Sequence, residues 1–423
     1  MGRFAGVQAA DIDVHTPILV LGFAGLSLHH GALGIVRSAG RLGIPVFLAH
    51  GVAASPDVGA SAAVAPSARY PIERSRYCRG SVRFGAADGA ERKLAALRKF
   101  AHEHERAILL AVDDASAMFV EDHGDALAEH FVFPRQPPGL VRMLGSKRNM
   151  HELCVRHGIP TPSAAFPQSE ADVLRHAASA AFPVVAKRVD ASLPAPPSAP
   201  SVVIANTPEE LVEAYRRMES EVAPNVQLQE YLPGTPEAIW MFNGYFNATS
   251  DCLVAFTGQK IRQSPPDTGA ATLGVCRVNA TVSDTTRRLM KAVGFRGILD
   301  IGYRWDSRDG TYKLLDANPR IGATFRLFVG GDGLDVLRAL YLDLTGQPVP
   351  ATSQRQGRRW VVEPLDVRSS WQYMRRGDLT PGAWARSFCG VRETAWWAAD
   401  DPLPFFAVMA LLSRGFVAKR RAR

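Results

Sequence analysis

What the chain lacks narrows its function before any motif is considered. Its five cysteines, Cys78, Cys154, Cys252, Cys276 and Cys389, are scattered and odd in number, with no CxxC pair and no histidine at metal-ligand spacing. That excludes a disulfide framework and a zinc ribbon, and a reducing, cytoplasmic setting is expected. No uncharged apolar run reaches the ~20 residues that a membrane-spanning helix needs. Residues 1–16 contain Asp11 and Asp13 and no apolar stretch, so they are expected to be a disordered N-terminus and not a secretory signal. There is no internal repeat and no GxGxxG. No aromatic-interleaved basic stripe is found either, so nucleic acid is not an expected partner.

What is present suits a folded enzyme. Hydrophobic residues make up 47% and charged residues 21%, ordinary for a globular chain, and 423 residues predict two or three domains. Lys and Arg outnumber Asp and Glu by 49 to 41, a surplus that favours anionic ligands without choosing among them.

Residues 17–21 read as a strand, followed by a loop with Gly22, Gly25 and Gly31, a helix to Arg41 and a strand at 44–49. A further strand at 107–112 ends on Asp113 and Asp114, at the carboxyl end where parallel strands carry ligands. An α/β domain over 17–135 is predicted. A second unit over 136–350 opens where Ser146 can cap a helix at 147–156, with Met150, Leu153 and Cys154 on one face and Gly158 and Pro160 as the stop. Strands follow at 182–189 and 225–232, separated by a proline-rich loop at 190–201. Hairpins are expected at 238–246 with 252–262 and at 297–304 with 311–318, with a helix at 282–293 between them. Residues 351–423 form a Trp- and Arg-rich C-terminal extension ending in a basic tail.

The chemistry concentrates in residues 297–320, GILDIGYRWDSRDGTYKLLDANPR. Gly310 stands where a three-residue hairpin loop needs a left-handed residue, which would set Ser307 against Thr311. Counting back then puts Gly302 opposite Asp316 and Asp300 opposite Asn318 on one sheet face. Two carboxylates and an amide oxygen suit a hard cation such as magnesium, although an isolated Asp-x-Asn also caps turns. Lys147 at a helix start and Lys187 inside the apolar strand PVVAK call for an anionic partner, and phosphates qualify. In VQLQEYLPG, Glu230 and Leu232 share a strand face, and a carboxylate beside exposed backbone can read an adenine edge. Lys260 and Arg262 are expected on one strand face, ready for an acyl phosphate or an acidic substrate, and Arg326 is a further substrate candidate.

In this order, the lysine helix, the lysine strand, QEYLPG and the hairpin ending in DANPR resemble the ATP-grasp superfamily. The likeness covers about residues 140–330 and is nearest to carboxylate–amine ligases related to carbamoyl phosphate synthase and D-aspartate ligase. It implies an α/β and α+β architecture, with a Rossmann-like pre-ATP-grasp domain ahead of an ATP-grasp fold. It further implies ATP and Mg2+ as cofactors, with Mn2+ as a possible substitute. By the same likeness Lys147 and Lys187 hold phosphates, Glu230 with the backbone of Tyr231 and Leu232 binds adenine, and Glu237 takes the ribose. Asp316 and Asn318 are then metal ligands, with Asp300 standing in because Gly302 has no side chain. Arg320 and Lys260 steady the transferred phosphoryl group.

The activity so implied joins a small-molecule carboxylate to an amine through an acyl phosphate. A phosphotransferase and an inactive ATP-binding scaffold are the alternatives. The tail segment PLPFFAVMALL, followed by Arg414, Lys419, Arg420, Arg421 and Arg423, would suit peripheral membrane contact or packing on the body. The oligomeric state is open, with a homodimer among the options.

Overall fold

The computed structural model describes residues 12–421 apart from 24, 25, 27, 52–68, 86, 105 and 190–198, with side chains described as far as 414. The expectations for residues 1–11, Gly25, most of the proline-rich loop and the basic side chains beyond Arg414 lie outside this range.

Five parallel strands open the chain: β1 (Ile18–Gly22), β2 (Val46–Gly51), β3 (Cys78–Phe84), β4 (Ala107–Ala111) and β5 (Phe131–Val132), in the order β3-β2-β1-β4-β5. β1 is buried along its whole length, as a central parallel strand must be. Ile18 and Val20 enter the core beneath the helix His30–Gly40, whereas Leu19 and Leu21 enter a second core with Leu94 and Leu97 of the helix Ala90–His104. At the carboxyl ends, Asp113 caps the helix Asp114–Asp122 through Ser116 N at 2.7 Å and accepts Phe23 N at 2.6 Å. That carboxylate is thus used by the backbone, and Asp114 is the one presented outward.

A four-stranded antiparallel sheet comes next: β6 (Ala164–Ala165), β7 (Val184–Arg188), β8 (Val202–Ala205) and β9 (Val226–Glu230), ordered β6-β9-β7-β8. Val184, Ala186 and Leu228 pack under the helices Glu170–Ala177 and Pro208–Met218, while Val185, Lys187 and Gln229 face the opposite way.

The third sheet has seven strands: β10 (Ile239–Phe246), β11 (Cys252–Ser264), β12 (Ala270–Cys276), β13 (Gly297–Asp306), β14 (Thr311–Asn318), β15 (Arg359–Val361) and β16 (Val391–Thr394), ordered β14-β13-β10-β11-β12-β15-β16. Phe242, Leu299, Ile301 and Tyr303 on one face bury Met150, Leu153 and Cys154 of the helix Lys147–Arg156, together with Leu289 and Met290 of the helix Ala280–Ala292. The other face carries the site.

Two expected boundaries shift. Residues 12–16 are tied down, with Asp13 N donating to Gln347 Oε1 at 2.8 Å and Tyr341 Oη donating to Thr16 O at 3.2 Å. The region after 350 is not an appendage, because β15 and β16 extend the seven-stranded sheet. In the helix Leu403–Arg421, Phe405, Val408, Met409 and Leu412 pack against the first core, while Leu403 and Phe406 of the same run stay exposed. Among the described residues no helix is long and apolar enough to cross a membrane.

Arg37–Asp401 and Arg41–Asp400 tie the first domain to the C-terminal region, and two further carboxylates are held by cations. Glu73 accepts from Ser81 and Arg83, and Glu393 accepts from Arg326 and Arg358. Burial by itself would raise both carboxyls. For Glu73, hydrogen bonds from His50, Ser81 and Arg83 outweigh it; for Glu393, the charges of Arg326, Arg358 and Arg41 do so. Each is held at about 2 against an ordinary 4.5. The folded chain therefore binds these protons more weakly than the unfolded one. The stability involved is complete above 4.5 and drains away as pH falls towards 2. We expect urea midpoints to drop steeply across that window and the drop to shrink in Glu393→Gln; an equally steep drop in that variant would exclude Glu393 as a contributor.

Candidate active site

A cavity of about 420 Å³ lies between the four-stranded and seven-stranded sheets. Lys147, Lys187, Tyr231, Leu232, Lys260, Asp316 and Asn318 all line it, seven of the residues named from sequence. Period two explains Lys187, which follows Val185 on the open face of β7.

The metal-type cluster is built by register. β13 and β14 pair Asp306 with Thr311, one residue off the expected Ser307–Thr311 pairing. A bulge at the Gly302/Tyr303 step, where Leu315 has no partner, then shifts the ladder by one. The two deviations cancel, and Gly302 faces Asp316 while Asp300 faces Asn318, as counted. Asn318 Nδ2 lies 3.4 Å from Asp300 Oδ2 and 3.5 Å from Asp316 Oδ2, and Arg320 Nη2 reaches Asn318 Oδ1 at 3.4 Å. A Cβ on Gly302 would stand 2.6 Å from Asp316 Oδ1, so a side chain there would displace that carboxylate. Asp316 thus occupies the space in which a side chain at 302 would lie.

The residues present fit a magnesium ion. The donors are two carboxylates and one amide, all oxygen ligands once the Asn318 amide turns its oxygen inward. They are few enough to leave positions for water and phosphate. Among the described residues no group of three or more His, Cys, Asp or Glu offers a competing site.

The electrostatics favour a polyanion. Burial lowers Lys187 to about 8 despite the pull of Asp316, and burial likewise lowers Lys260. Burial also raises Asp300 to about 6, with Arg320 opposing and Asp316 reinforcing the shift. Lys147, Lys187, Lys260 and Arg304 share the cavity with Asp114, Asp267 and Asp316, a narrow excess of positive charge in which Asp114 is already paired with Arg320. Desolvated ammonium groups in such a setting are stabilised by bound phosphate.

Other candidates stand elsewhere. Glu230 does not line the cavity; its Oε1 accepts Ser163 N at 2.9 Å and Lys313 Nζ at 3.0 Å, and its Oε2 accepts Arg308 Nη2 at 3.0 Å. Of QEYLPG, the cavity wall is formed by Gln229, Tyr231 and Leu232. Glu237 sits in a short turn, Pro236–Ala238, outside the lining.

Arg262 is a correction. The ladder shifts between Lys260 and Arg262, so these residues pair with the consecutive Gly274 and Leu273 and turn to opposite faces. Lys260 Nζ points to Gly269 O at 3.0 Å, whereas Arg262 grips Asp366 through Nε and Nη2 at 2.9 and 2.8 Å. Arg326 is a second correction, for it is buried between Asp335 and Glu393. Arg320 stays beside the cluster, paired with Asp114 at 2.7 Å.

Sequence reading missed Arg304, Gln263 and the lip Asp267–Gly269. Arg304 was legible, because it is two residues beyond Gly302 on the same strand face. Gln263 was not, because the shift that redirects Arg262 also redirects its successor on the strand.

No family model matches the chain. It is 21% identical to D-aspartate ligase from Enterococcus faecium over 57% of its own length and 60% of that protein. It is 25% identical to the carbamoyl phosphate synthase large chain of Thermus thermophilus over 44% of its length and 18% of the relative. The chain thus spans under two thirds of either curated relative. Among solved structures, L-amino acid ligase from Bacillus licheniformis matches at TM-score 0.56 and 16% identity, covering 79% of this chain and 75% of that one. N5-carboxyaminoimidazole synthetase from Staphylococcus aureus matches at 0.59 and 13%, covering 82% of each. With a parallel-sheet domain ahead of two sheets that close on a cleft lined by lysines, the chain has the ATP-grasp fold of these ligases.

Proposed function

We propose that the chain is an ATP-dependent ligase that joins a small carboxylic acid to an amine through an acyl phosphate. The observation that carries this reading is the meeting of Lys147, Lys187 and Lys260 with Asp316 and Asn318 in one cleft. A triphosphate satisfies the lysines, and adenine lies along the Tyr231–Leu232 backbone. Asp316, Asn318 and Asp300 would hold Mg2+, or Mn2+ in its place, which would neutralise phosphate charge. Lys260 and Arg320 hold the transferred group and the attacking carboxylate in line, because phosphoryl transfer depends on positioning and charge compensation. The amine then displaces phosphate. The names of two relatives, D-aspartate ligase and L-amino acid ligase, make amino acids the first substrates to test. All five cysteines are free thiols, in keeping with a cytoplasmic location.

Gly302, which supplies no carboxylate, favours a second reading as an ATP-binding scaffold without turnover. The test is ADP release across pooled acids and amines, with hydroxylamine as a trap. The ligase reading expects acid-dependent ADP and a hydroxamate. ADP without hydroxamate would point to a phosphotransferase, and tight ATP binding with no ADP to the scaffold.

A further inference from the structure

Nearly all of the chain's positive surplus sits at one end. Residues 351–423 hold 13 of the 49 Lys and Arg against 6 of the 41 Asp and Glu, which leaves residues 1–350 close to neutral at 36 to 35. Five of those six carboxylates are already committed. Glu363 accepts the backbone N–H of Ala395 at 3.1 Å and of Trp397 at 2.8 Å. Asp366, Glu393, Asp400 and Asp401 pair with Arg262, Arg326, Arg41 and Arg37.

The same region carries an apolar patch that nothing among the described residues covers. Trp397 is 43% exposed, Leu403 60% and Phe406 57%. The rings of Trp397 and Phe406 lie 6.1 Å apart, edge to face. Leu403, Phe406, Ala410 and Arg414 recur at helical spacing on the outer face of the helix Leu403–Arg421, opposite the buried Pro404 and Val408. The inner face of this helix is used by the body, and the outer face is left without a partner. Asp400 and Asp401, between Trp397 and Leu403 in sequence, are matched by arginines, so the patch is not flanked by unpaired carboxylates. Lys419, Arg420, Arg421 and Arg423 follow Arg414 in the sequence.

Clustered exposed aromatic side chains mark a contact surface, and the charge beside them narrows the choice of partner. A nucleic acid would use the cations and give Leu403 and Phe406 nothing to do. A second copy of the chain would bring like charge against like. An anionic bilayer uses both features, because Trp and Phe settle at the headgroup level while Lys and Arg meet acidic lipid headgroups. We propose that this face docks on an anionic lipid surface, with Trp397, Leu403 and Phe406 at the boundary between headgroups and acyl chains and Arg414 and the basic residues after it on the headgroups. No helix among the described residues can span a bilayer, so the contact lies along the surface. The patch shares no residue with the cleft, and the docking does not depend on the ligase reading.

The test is co-sedimentation of the full chain with vesicles of phosphatidylcholine alone and of phosphatidylcholine with about one third phosphatidylserine. Pelleting is expected with the anionic vesicles only. Leu403→Ser combined with Phe406→Ser, and separately Arg414, Lys419, Arg420, Arg421 and Arg423 all changed to Gln, should each bind at least about tenfold more weakly at unchanged melting, because anchoring of this kind needs apolar and charge contributions together. Anionic vesicles with brominated acyl chains should quench tryptophan fluorescence in the unaltered protein, and Trp397→Phe should remove most of that quenching, a readout independent of how the serine variant folds. Equal pelleting with neutral vesicles, undiminished binding by the serine variant, or binding without quenching would overturn the proposal. Self-association in solution that the serine pair abolishes would overturn it in favour of a second copy of the chain.

Discussion

Replacing Asp316 by Ala should abolish ATP turnover and leave the fold in place. Asp316 is exposed to the cleft, with its Oδ1 over Gly302 and its Oδ2 beside the Asn318 amide, and it contributes nothing to a core. Its carboxylate is the leading anionic influence on both Lys187 and Lys260. Without it the cleft keeps its cations and loses the oxygen that faces them, so the ion accompanying the triphosphate loses its most accessible protein ligand. Such ions supply several kcal/mol of transition-state charge stabilisation, which corresponds to at least about 10³-fold in kcat. Steady-state ADP release together with a melting curve decides it, and turnover within tenfold of the parent at unchanged melting would remove Asp316 from the site.

Replacing Arg326 by Met should lower stability by about 3–5 kcal/mol, the usual cost of stripping one member from a buried ion pair. Arg326 lies between Asp335, whose side chain is 0% exposed, and Glu393, at 18%. Ser38 Oγ donates to Asp335 Oδ2 at 2.6 Å, so the cluster also reaches the helix of the first domain. Removing the guanidinium leaves Glu393 paired with Arg358 and the buried Asp335 with the 3.7 Å contact of Arg338. The measurement is urea unfolding in parallel with ATP affinity. Unchanged unfolding with weakened substrate use would return Arg326 to the role that its position after GATF suggests.

The two arginines that sequence reading placed at the substrate explain where such reading stops. Lys260 and Arg262 obey strand alternation on paper, and a single shift of register undoes it. Arg326 follows a motif, but its partners Asp335 and Glu393 are 9 and 67 residues away, and only the folded chain brings them together. The metal-type pairing was legible for a subtler reason. The loop departs from its expected form by one residue and Leu315 restores the difference, so the outcome was right while the assumed hairpin was not. The parallel sheet and the capped helix at Ser146 were legible because their signals are local: a continuous apolar strand, and a side-chain oxygen bonded to Asn149 N. Glu230 was ambiguous at that level, for the residues that occupy it, Lys313 and Arg308, come from the hairpin itself.

The joining of β15 and β16 to the edge of β12 makes the final part of the chain a condition for the clamp and not an accessory to it. A fragment cut at residue 350 would present β12 as a bare ribbon of unpaired amides, an invitation to self-association. It would also strand Arg262 and Arg326 without Asp366 and Glu393. Trimming this protein to a minimal nucleotide-binding core would therefore yield an aggregate before it yielded a smaller enzyme.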